Sequence, residues 1–344
     1  AGRADRGKRI TQLPRRLMYF GYYLRRLDRS LLCRFMQHVE ARYGLSRTAQ
    51  WSKILRDSLK FNISILEWYQ FRFFDLTDAE KSTWAGTGAM YEFQRRANPP
   101  GARDVLNDKR SFYRAYGPFF RHAVCSRDEL AREPARIREL LAQHDRLVFK
   151  DATGNCGASI VIRKTAELDP DTLVEEMSGS GHDLVEGFVQ QHDALDALSP
   201  SGVNTVRIFT LIDETRAYSV LGCRLRISVD SPVDNLAAGN LAAPVDENTG
   251  VVCGPGVYSD IIRQPETVHP VTGTPIEGLQ MPFWQETLEM VEKASRLHPE
   301  NRSIGWDVVI TPGGPGLIEG NHDWCKLVWQ LPVKRGLKSM LWEQ

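Results

Sequence analysis

Apolar positions fall into two textures along the chain. Between residues 13 and 39 they recur at three- and four-residue steps (Leu17, Phe20, Leu24, Leu27, Leu31, Phe35, Val39), with arginines on the remaining face. That spacing predicts an amphipathic helix. A second helical stretch is predicted over 51–74. A third starts at Thr77-Asp-Ala-Glu80, where hydroxyl and carboxylate can satisfy the exposed amides of a helix start. The turn-rich run Asn98-Pro-Pro-Gly101 marks the best boundary.

Beyond it, short β-rich runs alternate with helices. Ser126-Arg-Asp-Glu129 is another capping box, opening a helix to about Gln143. A strand at 147–150 has its expected hairpin partner at 159–163. Further strands are read at 183–190, 205–212, 218–227 and 242–245 from their β-branched content. Residues 281–298 read as a helix with Pro282 in its first turn. Residues 304–311 and 316–319 read as two strands joined by Pro-Gly-Gly-Pro. Without regular βαβ alternation, the class is α+β.

The sharpest chemistry lies on those last two strands. Asp307 and Glu319 sit among apolar neighbours (Trp306, Val308, Leu317, Ile318), where an unpaired charge is costly. Asn321 shares a face with Glu319. Three oxygen ligands on one face suit Mg²⁺ bridging phosphates; a hairpin with solvated edge acids would use the same residues. The metal reading requires Asp307 with or near Glu319, and so a three-residue loop Pro312-Gly313-Gly314; a two- or four-residue loop would put the two acids on opposite faces unless a bulge intervenes. A second signal is Phe149-Lys150 followed by the small loop through Gly154, Gly157 and Ser159. Its amides could wrap phosphate oxygens, although a plain hairpin turn explains the glycines too. It is not the phosphate-binding GxxxxGK[ST] loop. A third is Asn204-Thr-Val-Arg207 with Arg224 and Arg226 on the next strand, the latter two on one face.

In this order the motifs resemble the ATP-grasp superfamily, and within it the sugar-transfer-associated branch related to α-L-glutamate ligases. The resemblance covers about Val105 to Gln330, and rests most on Trp306-Asp307…Glu319-Gly-Asn321 and on Leu184-Val-Glu186-Gly-Phe-Val-Gln-Gln-His192. It implies two α+β subdomains clasping ATP, here preceded by a mainly helical region: 1–104, then 105–182 with the flap, then 183–344 with hinge and metal site. It also implies roles. Lys109 and Lys150 would contact ATP phosphates, and Gly154 to Ser159 would form the flap. Glu186 to Val189 would read adenine, with Phe188 near the base, and either His192 or Asp193 would bind ribose. Arg207 and Arg226 would bind the transferred phosphoryl and the acceptor carboxylate. Asp307, Glu319 and Asn321 would hold two Mg²⁺ ions.

The expected activity is an ATP- and Mg²⁺-dependent ligase of small-molecule carboxylates and amines, working through an acyl phosphate. A sugar or polyol kinase and a non-catalytic nucleotide-responsive binding protein are the alternatives. The helical first hundred residues depart from the α/β domain common in relatives, so the acceptor cannot be borrowed from them.

Composition adds one distinction. Apolar residues make up 42% and charged residues 25%, an ordinary globular balance, and the net charge is +1. Yet residues 1–30 carry nine basic side chains against Asp5 and Asp28, a net +7 that leaves −6 for the remainder. The acidic body disfavours nucleic acid. The basic head is read as a solvated helix, as a contact with an anionic lipid surface or carrier, or as a site for an anionic acceptor. Six dispersed cysteines, without CxxC or ligand-spaced histidines, imply reduced thiols, no zinc and a cytoplasmic setting. No apolar run is long enough to cross a bilayer.

Overall fold

Helix breaks in the first hundred residues come from side chains that compete with the backbone. In the computed structural model, which describes residues 2–153 and 160–341 (2–13 by backbone only), the periodic stretch from 13 to 39 is two helices rather than one, Gly2–Arg25 and Arg29–Tyr43. Asp28 divides them, because its carboxylate accepts the Leu31 amide and caps the second helix. The stretch predicted at 51–74 likewise splits into Arg47–Phe61 and Ile65–Gln70, with Asn62 between them in the left-handed conformation at φ 58°. The Thr77/Glu80 capping box forms as predicted, over the short helix Asp78–Ser82. Phe35, Ile54, Trp68, Tyr69 and Phe73 fill the core of these helices. Buried among them, Asp57 accepts from Trp68 Nε1 at 3.0 Å and pairs with Lys81 at 2.9 Å, so the charge is matched within apolar surroundings.

The chain forms two compact units, and they are not contiguous. One comprises residues up to Arg96, Val257–Pro265 and the stretch from Cys325 onward; the other comprises Ala97–Gly256 and Glu266–Trp324. Within the first, Gln330 ties the late segment to the early helices. Its Oε1 accepts from Ala85 N (2.9 Å) and Leu337 N (3.1 Å), and its Nε2 donates to Ala85 O (2.9 Å). Glu67, also buried, pairs with Lys326 at 2.8 Å.

The second unit holds two antiparallel sheets. Strands β1 (Val124–Ser126), β2 (Arg146–Lys150), β3 (Val161–Lys164) and β4 (Leu184–Gly187) pair in the order β1-β4-β2-β3. The predicted β2–β3 hairpin is present, whereas β4 is shorter than the predicted 183–190. Strands β5 (Thr205–Ile212), β6 (Tyr218–Ile227), β7 (Leu241–Val245), β8 (Ser303–Thr311) and β9 (Gly314–Asn321) pair in the order β7-β6-β5-β8-β9. Two helix predictions need correction. The helix from Ser126 is interrupted at Pro134 into Arg127–Arg132 and Ala135–Gln143, since proline cannot donate an amide. The helix predicted over 281–298 is Trp284–Leu297; Phe283 precedes it at φ 54°, which leaves Pro282 outside. Helices 135–143 and 173–180 bury Ile137, Leu140, Leu173 and Met177 with Phe149 of the small sheet. Asn98 of the predicted boundary pins the start of β8, exchanging both amide groups with the Ser303 backbone at 2.8 and 3.0 Å. Among the described residues, no helix is long and apolar enough to cross a membrane.

Candidate nucleotide and metal site

Directly opposed residues in an antiparallel ladder share a face, and the register of the large sheet therefore builds a charged row. Arg207 of β5 lies opposite Asp307 of β8, which lies opposite Glu319 of β9. The opposition of Asp307 and Glu319 is the one the metal reading demands, but the loop is not three residues long. Thr311 pairs with Gly314, so Pro312-Gly313 is a two-residue connection, and the register shifts between Asp307 and Val308. Ile318 is the extra residue of that bulge. It restores to one face what a two-residue loop would have put on opposite faces.

Asp307 is buried and accepts from two arginines. Arg207 grips it with Nε on Oδ1 and Nη2 on Oδ2 (2.8 Å), and Arg226 Nη1 reaches Oδ2 at 2.9 Å. Burial alone would raise its pKa; the two guanidiniums instead hold it down at about 2. Arg226 also pairs with Asp234 at 2.6 Å, and Asp234 accepts from the Thr205 amide (2.9 Å) and hydroxyl (2.5 Å). Burial pushes Asp234 up despite Arg226. Arg224 takes another course, with Nη1 donating to Cys223 O at 2.6 Å and lying 3.8 Å from Glu247.

Glu319 is the unmatched member of the row. Its Oε1 accepts from Asn321 Nδ2 at 3.2 Å, and burial together with the neighbouring Asp307 charge pushes its pKa up. A carboxylate raised by a like charge, beside a carboxamide, is a donor set that a divalent cation would relieve. Among the described residues no group of three or more His, Cys, Asp or Glu could hold a metal ion. Glu319, Asn321 and the unused lone pair of Asp307 therefore fit a cation that takes further oxygens from a ligand such as a polyphosphate.

A cleft of about 680 Å³ is lined by Lys150 and Glu186 of the small sheet, by Phe188 just past β4, and by Thr205, Asp234 and Ile318; Arg207, Asp307 and Glu319 are not among the described residues that line it. Lys150, at the end of β2, pairs with Glu186 at 2.6 Å, and His122 Nε2 approaches the same carboxylate at 3.3 Å. Burial would raise Glu186, but Lys150 first and then His122 bring it down to about 2. Gly187 is needed where it stands, since a Cβ there would lie 2.4 Å from the His144 ring. Val189 lines the cleft, as does Phe188, whose ring lies 3.7 Å beneath the Arg146 guanidinium.

The two ribose candidates separate. Asp193 lines the cleft, whereas His192 caps the helix Asp193–Leu198 through Nδ1 (3.2 Å from Ala194 N) and sets its ring against Phe283. Lys109 begins the helix Lys109–Tyr116 and is not among the described residues that line the cleft; its amide donates to Ala152 O at 3.0 Å, beside the start of the predicted flap. Gly154, Gly157 and Ser159 lie outside the described residues. Sequence reasoning missed His122, His144 and the pairing role of Asp234. A histidine alone in a loop carries no spacing signal, and Asp234 is tied to Arg226 only through the fold.

A family model described as sugar-transfer associated ATP-grasp matches residues 89–343. No curated protein matches the sequence. Among solved structures, the chain is similar to an L-amino acid ligase from Bacillus licheniformis (14% identity, 64% of this chain and 41% of that one, TM-score 0.38). It is also similar to D-alanyl-alanine synthetase A from Vibrio cholerae (11%, 69% and 61%, TM-score 0.40). A third is biotin carboxylase from Campylobacter jejuni (11%, 68% and 47%, TM-score 0.41). The chain spans less than two thirds of the length of each of these three.

Proposed function

The chain belongs to the sugar-transfer associated ATP-grasp family, and from that premise we propose that it is an ATP- and Mg²⁺-dependent ligase joining a carboxylate to an amine. The observation that carries this reading is the row Arg207–Asp307–Glu319, with Arg226 and Asn321, whose neighbours Thr205, Asp234 and Ile318 line the cleft. Two guanidiniums and two carboxylates converge there, and transfer of a phosphoryl group to an anionic acceptor needs fixed charges of this kind.

In the proposed reaction a substrate carboxylate oxygen attacks the γ-phosphorus of ATP, and the bond from that phosphorus to the bridging oxygen of ADP breaks. The amine nitrogen then attacks the acyl carbon, the carbon–oxygen bond to phosphate breaks, and the amine proton leaves with the phosphate. Lys150 and Lys109 contact ATP phosphates, a role the resemblance also gives to Gly154, Gly157 and Ser159. The backbone of Glu186 to Val189 reads adenine, and Asp193, on the cleft wall, takes the ribose. Arg207 and Arg226 stabilise the charge that develops on the transferred phosphoryl and on the tetrahedral intermediate. Glu319, Asn321 and Asp307 would hold Mg²⁺, which supplies neutralisation of the β- and γ-phosphate charge.

Hydroxylamine in place of the amine tests the reading. A ligase releases ADP and yields a hydroxamate, and Glu319→Gln loses both. ADP release without hydroxamate would make the protein a hydroxyl kinase, and no ADP release with any carboxylate would make it a binding protein.

A further inference from the structure

The first helix has two faces, and only one is accounted for by packing. Tyr23 is buried, Phe20 packs against the helical core, and Arg16 donates to the Leu59 and Lys60 carbonyls at 2.8 Å. These residues fix which side of the helix faces the protein. The opposite arc carries Leu17 (51% exposed), Met18 (75%), Tyr22 (50%) and Leu24 (43%). At 100° per residue they span less than half the helix circumference, and Arg25, exposed, lies within the same arc. Arg26, also exposed, follows at its edge with its guanidinium 5.4 Å over the Tyr22 ring.

We propose that this arc lies on an anionic lipid surface. Two independent features choose the partner. The charge is complementary to an acidic bilayer, because residues 1–30 carry a net +7 and the same segment exposes Leu17, Met18, Tyr22 and Leu24 on one arc. The exposed side chains are Leu, Met and Tyr. A polyanion such as nucleic acid would leave the two leucines and the methionine in water, whereas the boundary between headgroups and acyl chains takes them in while arginines stay among the phosphates. Gly21 sits in the middle of the arc without a side chain to hold the helix away.

The full chain should co-sediment with vesicles containing phosphatidylglycerol and not with phosphatidylcholine alone, and salt should weaken the binding. Arg25→Glu with Arg26→Glu should lower the partition coefficient at least about tenfold. Leu17→Ser with Met18→Ser should lower it as well, although the charge is unchanged. All four positions are exposed, so the variants fold, and unchanged circular dichroism and melting establish that. Three results would overturn the proposal: no binding to acidic vesicles by the parent chain; loss in the arginine variant but none in the Leu17/Met18 variant, which would mark a general polyanion site; or self-association abolished by Met18→Ser without vesicle binding, which would make the arc an interface between two copies of the chain.

Discussion

Asp307 and Glu319 face each other across β8 and β9, yet neutralising them should move stability in opposite directions. In Asp307→Asn the shape is kept and the charge is lost, so an amide NH₂ must face a guanidinium. The parent carboxyl is held at about 2 against an ordinary 3.8. At about 1.4 kcal/mol per pH unit that difference is worth about 2 kcal/mol. Stranding Arg207 without its carboxylate adds to this, toward the roughly 3–5 kcal/mol typical of a broken buried pair. Urea unfolding at pH 7 should therefore show a loss of about 2–4 kcal/mol. Because the folded pKa is lowered, the contribution is complete above the unfolded value of about 3.9 and disappears as pH falls toward 2. The difference between parent and variant should stay flat from about pH 7 to pH 5 and shrink below about pH 4.

Glu319 has the opposite sign. Its folded pKa is raised, so once ionised it weakens the cation-free fold, and Glu319→Gln relieves this increasingly as pH rises past the unfolded value of about 4.3. The Gln variant at pH 7 should be at least as stable as the parent while losing ADP release. An Asp307→Asn cost below about 1 kcal/mol at pH 7, or one that decays between about pH 7 and pH 5, would refute the claim that two arginines hold the carboxylate. A Glu319→Gln protein less stable than the parent at pH 7 would refute the unmatched charge.

Lys150→Met should cost about 3–5 kcal/mol by leaving Glu186 buried without its 2.6 Å partner; in scanning calorimetry Lys150→Met with Glu186→Leu should recover most of it, while a fluorescent ATP analogue still fails to bind. Gly187→Ala should lower stability by about 1–3 kcal/mol by driving a methyl into His144, and adding His144→Ala should restore the melting temperature. Thr205→Val should cost about 2 kcal/mol in denaturant unfolding, since the buried Asp234 carboxylate loses its hydroxyl donor.

Much of the second unit was legible because its register rests on alternation. β5 and β6 begin and end where their β-branched runs do, and the side-chain period of two was enough to put Glu319 and Asn321 on one face, whereas bringing Asp307 opposite Glu319 took a bulge. The bulge at Ile318 was foreseen only as a fallback, because turn chemistry alone does not choose between a three-residue loop and a two-residue loop with a compensating bulge. For the helices of both units periodicity gave the elements but not their ends, where Asp28, Asn62 and Pro134 broke continuous patterns for reasons of capping and geometry. Asp234 and His122 were hidden for another reason: each acts on a partner distant in sequence, Arg226 or Glu186, and nothing local distinguishes a buried acid or histidine from a solvated one.

The interleaving of the two units bears on how such a chain can be rearranged. The polypeptide passes from one to the other at residues 96–97, 256–257, 265–266 and 324–325. A protease nick at the Asn98-Pro-Pro-Gly101 turn would leave both units tethered elsewhere, so it should release no separable fragment. Recombination at a single point near residue 97 would likewise carry off the early helices while leaving behind Gln330 and Lys326, the partners that satisfy Ala85 and Glu67. The helical part is thus poorly suited to be traded between proteins as a cassette. Its sequence must change in step with two distant segments of the same chain.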